Sequence, residues 1–144
     1  MQQEKILFEV QRDDEGFPPC DIEGVWATET VDGCYVLDNI PFFAREATYG
    51  DMVQVRREGG EYFYHSTIER SGNSLFRIML YGDSNPEFVM EELQDLGCQV
   101  EQSHIPELIA VGIPPNADFP KIKGYLDHGC QSDKWDYEEA ILRH

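Results

Sequence analysis

Histidines, cysteines, carboxylates and one small polar cluster are the groups in this chain whose types could do chemistry. His65, His104, His128 and His144 form no H-x-x-x-H or H-E-x-x-H pair, and none stands at zinc-finger spacing from a cysteine. No metal site is therefore expected. His65 sits in an aromatic strand, where a hydrogen-bonded or half-exposed imidazole is the plain expectation. His128 precedes Gly129 near a predicted helix end, where a cation complements the helix dipole. Cys20, Cys34, Cys98 and Cys130 make no C-x-x-C pair, and the first residues carry no secretory leader, so reduced thiols in a cytoplasm are expected.

The most site-like cluster is Ser71-Gly72-Asn73-Ser74 followed by Arg77. Its backbone N–H groups could hold an anion with help from the guanidinium. A nucleophilic serine needs a base and an oxyanion hole, and neither is written nearby. A turn, with Arg77 paired to a carboxylate, is the favoured expectation. Tyr49-Gly50-Asp51 has a single glycine and is not a phosphate loop. The pairs Glu91-Glu92 and Glu138-Glu139 are uninformative in so acidic a chain. Tyr62, Phe63 and Tyr64 could stack bases, with Arg56, Arg57 and Arg70 nearby, but cross-strand packing explains them better. No cofactor is expected.

The charge is the unusual property. Acidic residues number 28 and basic residues 11, a formal net of −17. Split at Ser74, the first part carries 15 acidic and 6 basic residues and the second 13 and 5, so the excess is spread through the chain. Such a surface repels nucleic-acid phosphates and anionic lipid, and attracts a basic protein. Solubility alone is the competing explanation. No apolar run reaches membrane-spanning length. In the tail, Asp133, Asp136, Glu138 and Glu139 surround Trp135 and Tyr137. Carboxylates beside large amphipathic rings suit an interface that takes Arg or Lys. Trp135 could equally anchor the terminal element to its own core, and the two roles are compatible. Asp13, Asp14 and Glu15 could assist the same contact.

Elements must position these groups. Ile6, Phe8 and Val10 alternate as a strand; Asp13 to Pro19 breaks it. Ile22–Thr30 is a second strand, turning at Val31-Asp32-Gly33 into Cys34–Leu37, followed by the turn Asp38-Asn39-Ile40-Pro41. Met52–Val55 and Tyr62–Ile68 are further strands, around a turn at Glu58-Gly59-Gly60-Glu61. Leu75–Tyr81 is a rich strand. Asn85-Pro86-Glu87 then starts a helix whose apolar face is Phe88, Val89, Leu93 and Leu96, with Gly97 as its stop. Cys98–Ser103 and Leu108–Ile113 are strands, Asp118–His128 is a second helix with Gly129 after it, and Trp135–Leu142 is a strand or a short helix. The expectation is an α+β protein: a small bent antiparallel β lobe, SH3-like, over 1–70, and a ferredoxin-like βαββαβ lobe over 71–144.

Leu37-Asp38-Asn39-Ile40-Pro41-Phe42-Phe43-Ala44, Tyr49-Gly50-Asp51, Ser71-Gly72-Asn73-Ser74 with Arg77, and Trp135-Asp136-Tyr137-Glu138-Glu139-Ala140 resemble a bacterial family known as domain of unknown function 4265. The resemblance covers nearly the whole chain. It implies a bacterial origin and carries no activity, so no catalytic residue comes with it.

The function expected is non-catalytic: an acidic protein that neutralises a basic partner, foremost an immunity protein against a bacterial toxin such as a nuclease. The alternative is an enzyme or small-ligand binder using an inter-lobe cleft near Ser71, Asn73 and Arg77.

Overall fold

The computed structural model describes residues 3–31 and 33–144, and it divides into two compact units, Met1–Ser71 and Gly72–His144. It is a mixed α and β structure with nine strands in two sheets and two helices among the described residues.

In the first unit, β1 (Gln3–Glu9), β2 (Ile22–Glu29), β3 (Cys34–Leu37), β4 (Met52–Glu58) and β5 (Glu61–Glu69) follow one another as an antiparallel meander. Four antiparallel steps leave β5 running in the direction of β1, so the pair that closes the barrel is parallel, Ile6 against Tyr62 and Leu7 against Phe63. The period of two sends Ile6 and Phe8, Val25 and Ala27, Tyr35 and Leu37, and Val53 inward. Tyr64 stacks on Phe8 with ring centroids 4.8 Å apart, and Tyr62 lies against Tyr35. Two members of the aromatic run thus serve the barrel core. Arg56 lies over the third, Phe63, and is ion-paired to Glu9 and Glu58. Asp32, expected in the β2–β3 turn, and Met1 and Gln2 lie outside the described residues.

The second unit runs β6 (Ser74–Leu80), α1 (Pro86–Asp95), β7 (Gln99–Gln102), β8 (Leu108–Ile113), α2 (Phe119–Gln131), β9 (Trp135–Ile141). All pairings are antiparallel and the order across the sheet is β7-β8-β6-β9. Phe76, Ile78 and Leu80 of β6 and Ile109, Val111 and Ile113 of β8 pack with Val89 and Leu93 of α1 and Ile122 and Leu126 of α2. Leu75, Arg77, Leu108 and Ala110, which alternate with these, are buried as well. The unbroken apolar sequence of β8 follows from burial on both faces.

Helix α1 begins as its sequence dictates: the Asn85 side chain accepts from the N–H groups of Glu87 and Phe88, with Pro86 in the first turn. Two details depart from expectation. Phe88 is 58% exposed and does not join the core face. Helix α2 runs through Gly129 to Gln131, because Gly129 is a packing glycine and not a stop. A Cβ there would stand 2.0 Å from the ring of Trp135. The tail is settled as strand, paired to β6 from Leu80–Trp135 to Leu75–Ile141.

Candidate functional site

In the second unit, the connection leaving β6 and the connection entering β9 open into a cavity of about 580 Å³. That volume lies within the range of small-ligand sites. One wall is α1, through Phe88, Val89 and Glu92, whose i, i+1 and i+4 spacing places them on one side of the helix. The facing wall is the α2 stripe Tyr125, His128 and Gly129, at i, i+3 and i+4, continued by Ser132 just past the helix end. Trp135 lies against Gly129, only 3% exposed, and its indole N–H donates to the Leu126 carbonyl at 3.1 Å.

The two connections hold each other. The Lys134 carbonyl accepts both the Tyr81 N–H, at 2.9 Å, and the Ser84 hydroxyl, at 2.8 Å, and the Ser84 N–H donates to the Tyr81 carbonyl. Asp133 takes the left-handed conformation, φ 58°, the one non-glycine residue to do so among those described. Aspartate tolerates that region better than most residues.

The lining mixes rings with carboxylates. Tyr81 and Phe88 are exposed, while Tyr125 lies 5.4 Å from Trp135, centroid to centroid. The Tyr125 hydroxyl donates to Glu92 at 2.7 Å. Burial, followed by the Glu92 carboxylate, pushes the Tyr125 phenol well up, so it stays protonated and orients that carboxylate. The Tyr81 phenol is also raised, chiefly by its hydrogen bond to Asp136. Asp83, Glu92 and Asp133 line the cavity with one ammonium, Lys134, and one imidazole, His128. The first N–H groups of α1 are occupied by the Asn85 cap, which removes the donors an anion would need there.

The residues expected from sequence to meet a partner fall as follows. Asp133 and Trp135 line the cavity, but Trp135 is part of the core and presents no exposed ring. Its apolar bulk explains the burial, which is the core-anchoring role expected beside the interface role. Asp136, Glu138 and Glu139 are exposed on β9, an edge strand. Glu138 also pairs with the buried Arg77 at 3.5 Å, so it has a structural role. Asp13, Asp14 and Glu15 lie in the first unit, in the loop between β1 and β2, and Asp13 accepts from the N–H groups of Glu15 and Phe17. Sequence reasoning does not single out Phe88, Glu92 and Tyr125 as site residues; the i, i+4 pair Phe88 and Glu92 is the available signal.

The Ser71–Ser74 cluster is engaged in structure. The Ser71 hydroxyl donates to the Tyr49 carbonyl at 2.8 Å and its N–H to the buried Asp51 at 2.9 Å. The Ser74 hydroxyl bonds His144 Nδ1 and accepts the Arg143 N–H. In the first unit, Glu23 accepts three successive backbone N–H groups, from Phe42, Phe43 and Ala44. Glu23 and Ser71 therefore engage backbone groups of segment 38–51, and Ser74 engages Arg143 and His144. Among the described residues, no group of three or more His, Cys, Asp or Glu is placed to hold a metal ion, and no helix is long and apolar enough to cross a membrane. The four cysteines are free thiols; burial pushes Cys98 up to about 11.

The fold is shared with a solved structure described as "Novel crystal structure of a hypothetical protein from Neisseria gonorrhoeae". The TM-score is 0.83 at 23% identity, over 100% of this chain and 98% of that one. No curated protein is detectably similar. Residues 23–137 match a family model that spans both units and most of the motifs above, and the chain belongs to that family, described as Domain of unknown function (DUF4265).

Proposed function

We propose that this chain is a non-catalytic, cytoplasmic binding protein that neutralises a basic partner, foremost an immunity protein against a bacterial toxin of nuclease type. The observation that carries the proposal is the edge strand β9: it displays Asp136, Glu138 and Glu139 to solvent on a chain of net charge −17. A desolvated carboxylate paired to Arg or Lys supplies specificity, and the surrounding field speeds encounter. The Ser71 hydroxyl donates to the Tyr49 carbonyl, which is not a base, and this supports a binding role over nucleophilic catalysis at that residue.

The finer fold belongs to the same proposal. The five-strand meander closed on itself supports an SH3-like lobe over 1–70. The order β7-β8-β6-β9, with α1 and α2 as connections, supports a ferredoxin-like lobe over 71–144.

The test is growth protection. The chain is co-expressed with a basic toxin domain encoded beside it, and the purified pair is assayed for a 1:1 complex. Protection and complex formation are expected, both reduced by Asp136→Lys with Glu139→Lys while the unfolding midpoint stays nearly unchanged. Absence of both protection and complex would sink the proposal. A complex that the double reversal leaves intact would move the interface away from β9.

A further inference from the structure

We infer that the cavity of the second unit is a receptor for the guanidinium group of an arginine side chain presented by the basic partner; this rests on the function proposed above. Four features point there. The site combines two exposed aromatic residues, Tyr81 and Phe88, with a carboxylate, Glu92, that the Tyr125 hydroxyl holds in position. A planar cation gains from both at once, lying on an aromatic face while its N–H fork meets a carboxylate. Three carboxylates in the lining outnumber its single ammonium, in a chain already strongly negative. The competing charge sign is disfavoured locally, because the Asn85 cap takes the α1 N–H groups that would otherwise receive an anion.

The frame is also organised before any ligand arrives. Lys134 ties the two connections through its carbonyl, and Trp135, packed against Gly129 with its N–H already bonded, forms a buried apolar base. Little ordering is then needed on binding, which favours a specific contact over diffuse attraction. Asp136 follows this base on β9 and is hydrogen-bonded to Tyr81, which ties the first carboxylate of that strand to a ring of the cavity lining.

The experiment uses the full chain labelled with nitrogen-15 and three probes: N-acetyl-arginine N-methylamide, tetramethylammonium and inorganic phosphate. The blocked arginine is expected to give saturable amide shifts confined to 81–85, 88–92 and 128–135. Phe88→Ala and, separately, Glu92→Gln should each weaken it by roughly two- to five-fold, the scale of one exposed cation–π or charge-assisted contact. Phe88 is largely solvent-exposed, and the amide carbonyl introduced by Glu92→Gln still accepts from the Tyr125 hydroxyl, so both variants should keep the parent's unfolding midpoint. The same variants should weaken the complex with the basic partner by a similar factor. Shifts that fail to saturate, or that spread evenly over the acidic surface, overturn the inference. So does a stronger response to phosphate, which would make the site an anion receptor. Tetramethylammonium binding tighter than arginine, with the partner complex unaffected by Phe88→Ala, overturns it in favour of a small-molecule amine. A partner complex that persists with no arginine response in the cavity removes this inference alone and leaves the proposed function standing.

Discussion

Gly129 illustrates how a single residue is set by something distant in type but near in space. In an isolated helix its replacement by alanine gains up to about 1 kcal/mol of helix propensity. Here the new methyl would stand 2.0 Å from the Trp135 ring, far inside van der Waals contact. Overpacking of that kind costs typically about 1–3 kcal/mol, so Gly129→Ala is expected to lower stability and disturb the cavity. Gly124, on the same helix with nothing within 4 Å of its virtual Cβ, is the control. Gly124→Ala should stabilise by roughly 0.5–1 kcal/mol. Denaturant unfolding of the two variants checks both signs. A second residue-scale prediction concerns Asp127, which the Tyr137 hydroxyl and then the Lys123 ammonium hold below the usual carboxylate range. A depressed folded-state value means its stabilisation is present above the ordinary carboxylate pKa and is lost as pH falls through the folded value. Asp127→Asn should therefore cost stability near neutrality and little in acid, with the gap between parent and variant midpoints closing as pH drops. Its carboxylate is 46% exposed, so solvent screening keeps the gap small.

Elements are legible in the sequence where their causes are local. Asn85-Pro86-Glu87 starts α1 because cap, proline and acidic residue all act within one turn, and no distant contact overrides them. Strands β1 and β8 follow from alternation and from a continuous apolar run respectively. The tail is ambiguous because Trp135–Leu142 suits either helix or strand; pairing with β6 decides it, and pairing is not written in the tail itself. For the same reason the end of α2 lies beyond the position its sequence suggests, since the role of Gly129 depends on Trp135 folding back over it. Of the candidate site, the acidic tail is visible as composition, whereas Tyr125 against Glu92 is a contact between two helices and leaves no linear trace. The segment between β3 and β4 is a further case. It lacks regular structure, yet the Glu23 carboxylate accepts the N–H groups of Phe42, Phe43 and Ala44 at 2.5, 2.9 and 2.8 Å. Glu23→Ala leaves those donors without that acceptor and should destabilise the chain by about 1–3 kcal/mol. Hydrogen exchange should accelerate first at those three amides; unchanged protection there would show that the carboxylate is not what holds the segment.

At the scale of the whole molecule the governing quantity is charge, and it acts on folding and on association in opposite directions. Residues 1–71 carry 15 acidic and 6 basic groups, and residues 72–144 carry 13 and 5, so each unit repels itself when folded. Local ion pairs such as Arg12 with Asp21 and Arg56 with Glu9 and Glu58 engage several of the few cations, but with 28 acidic residues against 11 basic ones most of the negative charge stays uncompensated. Added salt shortens the Debye length from about 30 Å at 0.01 M to about 8 Å at 0.15 M and weakens that repulsion more than it weakens the close pairs. The thermal unfolding midpoint should accordingly rise with sodium chloride over this range. The association rate with a basic partner should fall over the same range, because steering acts at the long distances that salt screens first. Measuring both on one preparation separates the causes: slower association cannot be blamed on unfolding when stability is increasing. A midpoint that falls with salt would mean that favourable ion pairs outweigh the net repulsion. An association rate indifferent to salt would mean that the negative field of this chain does not serve recognition.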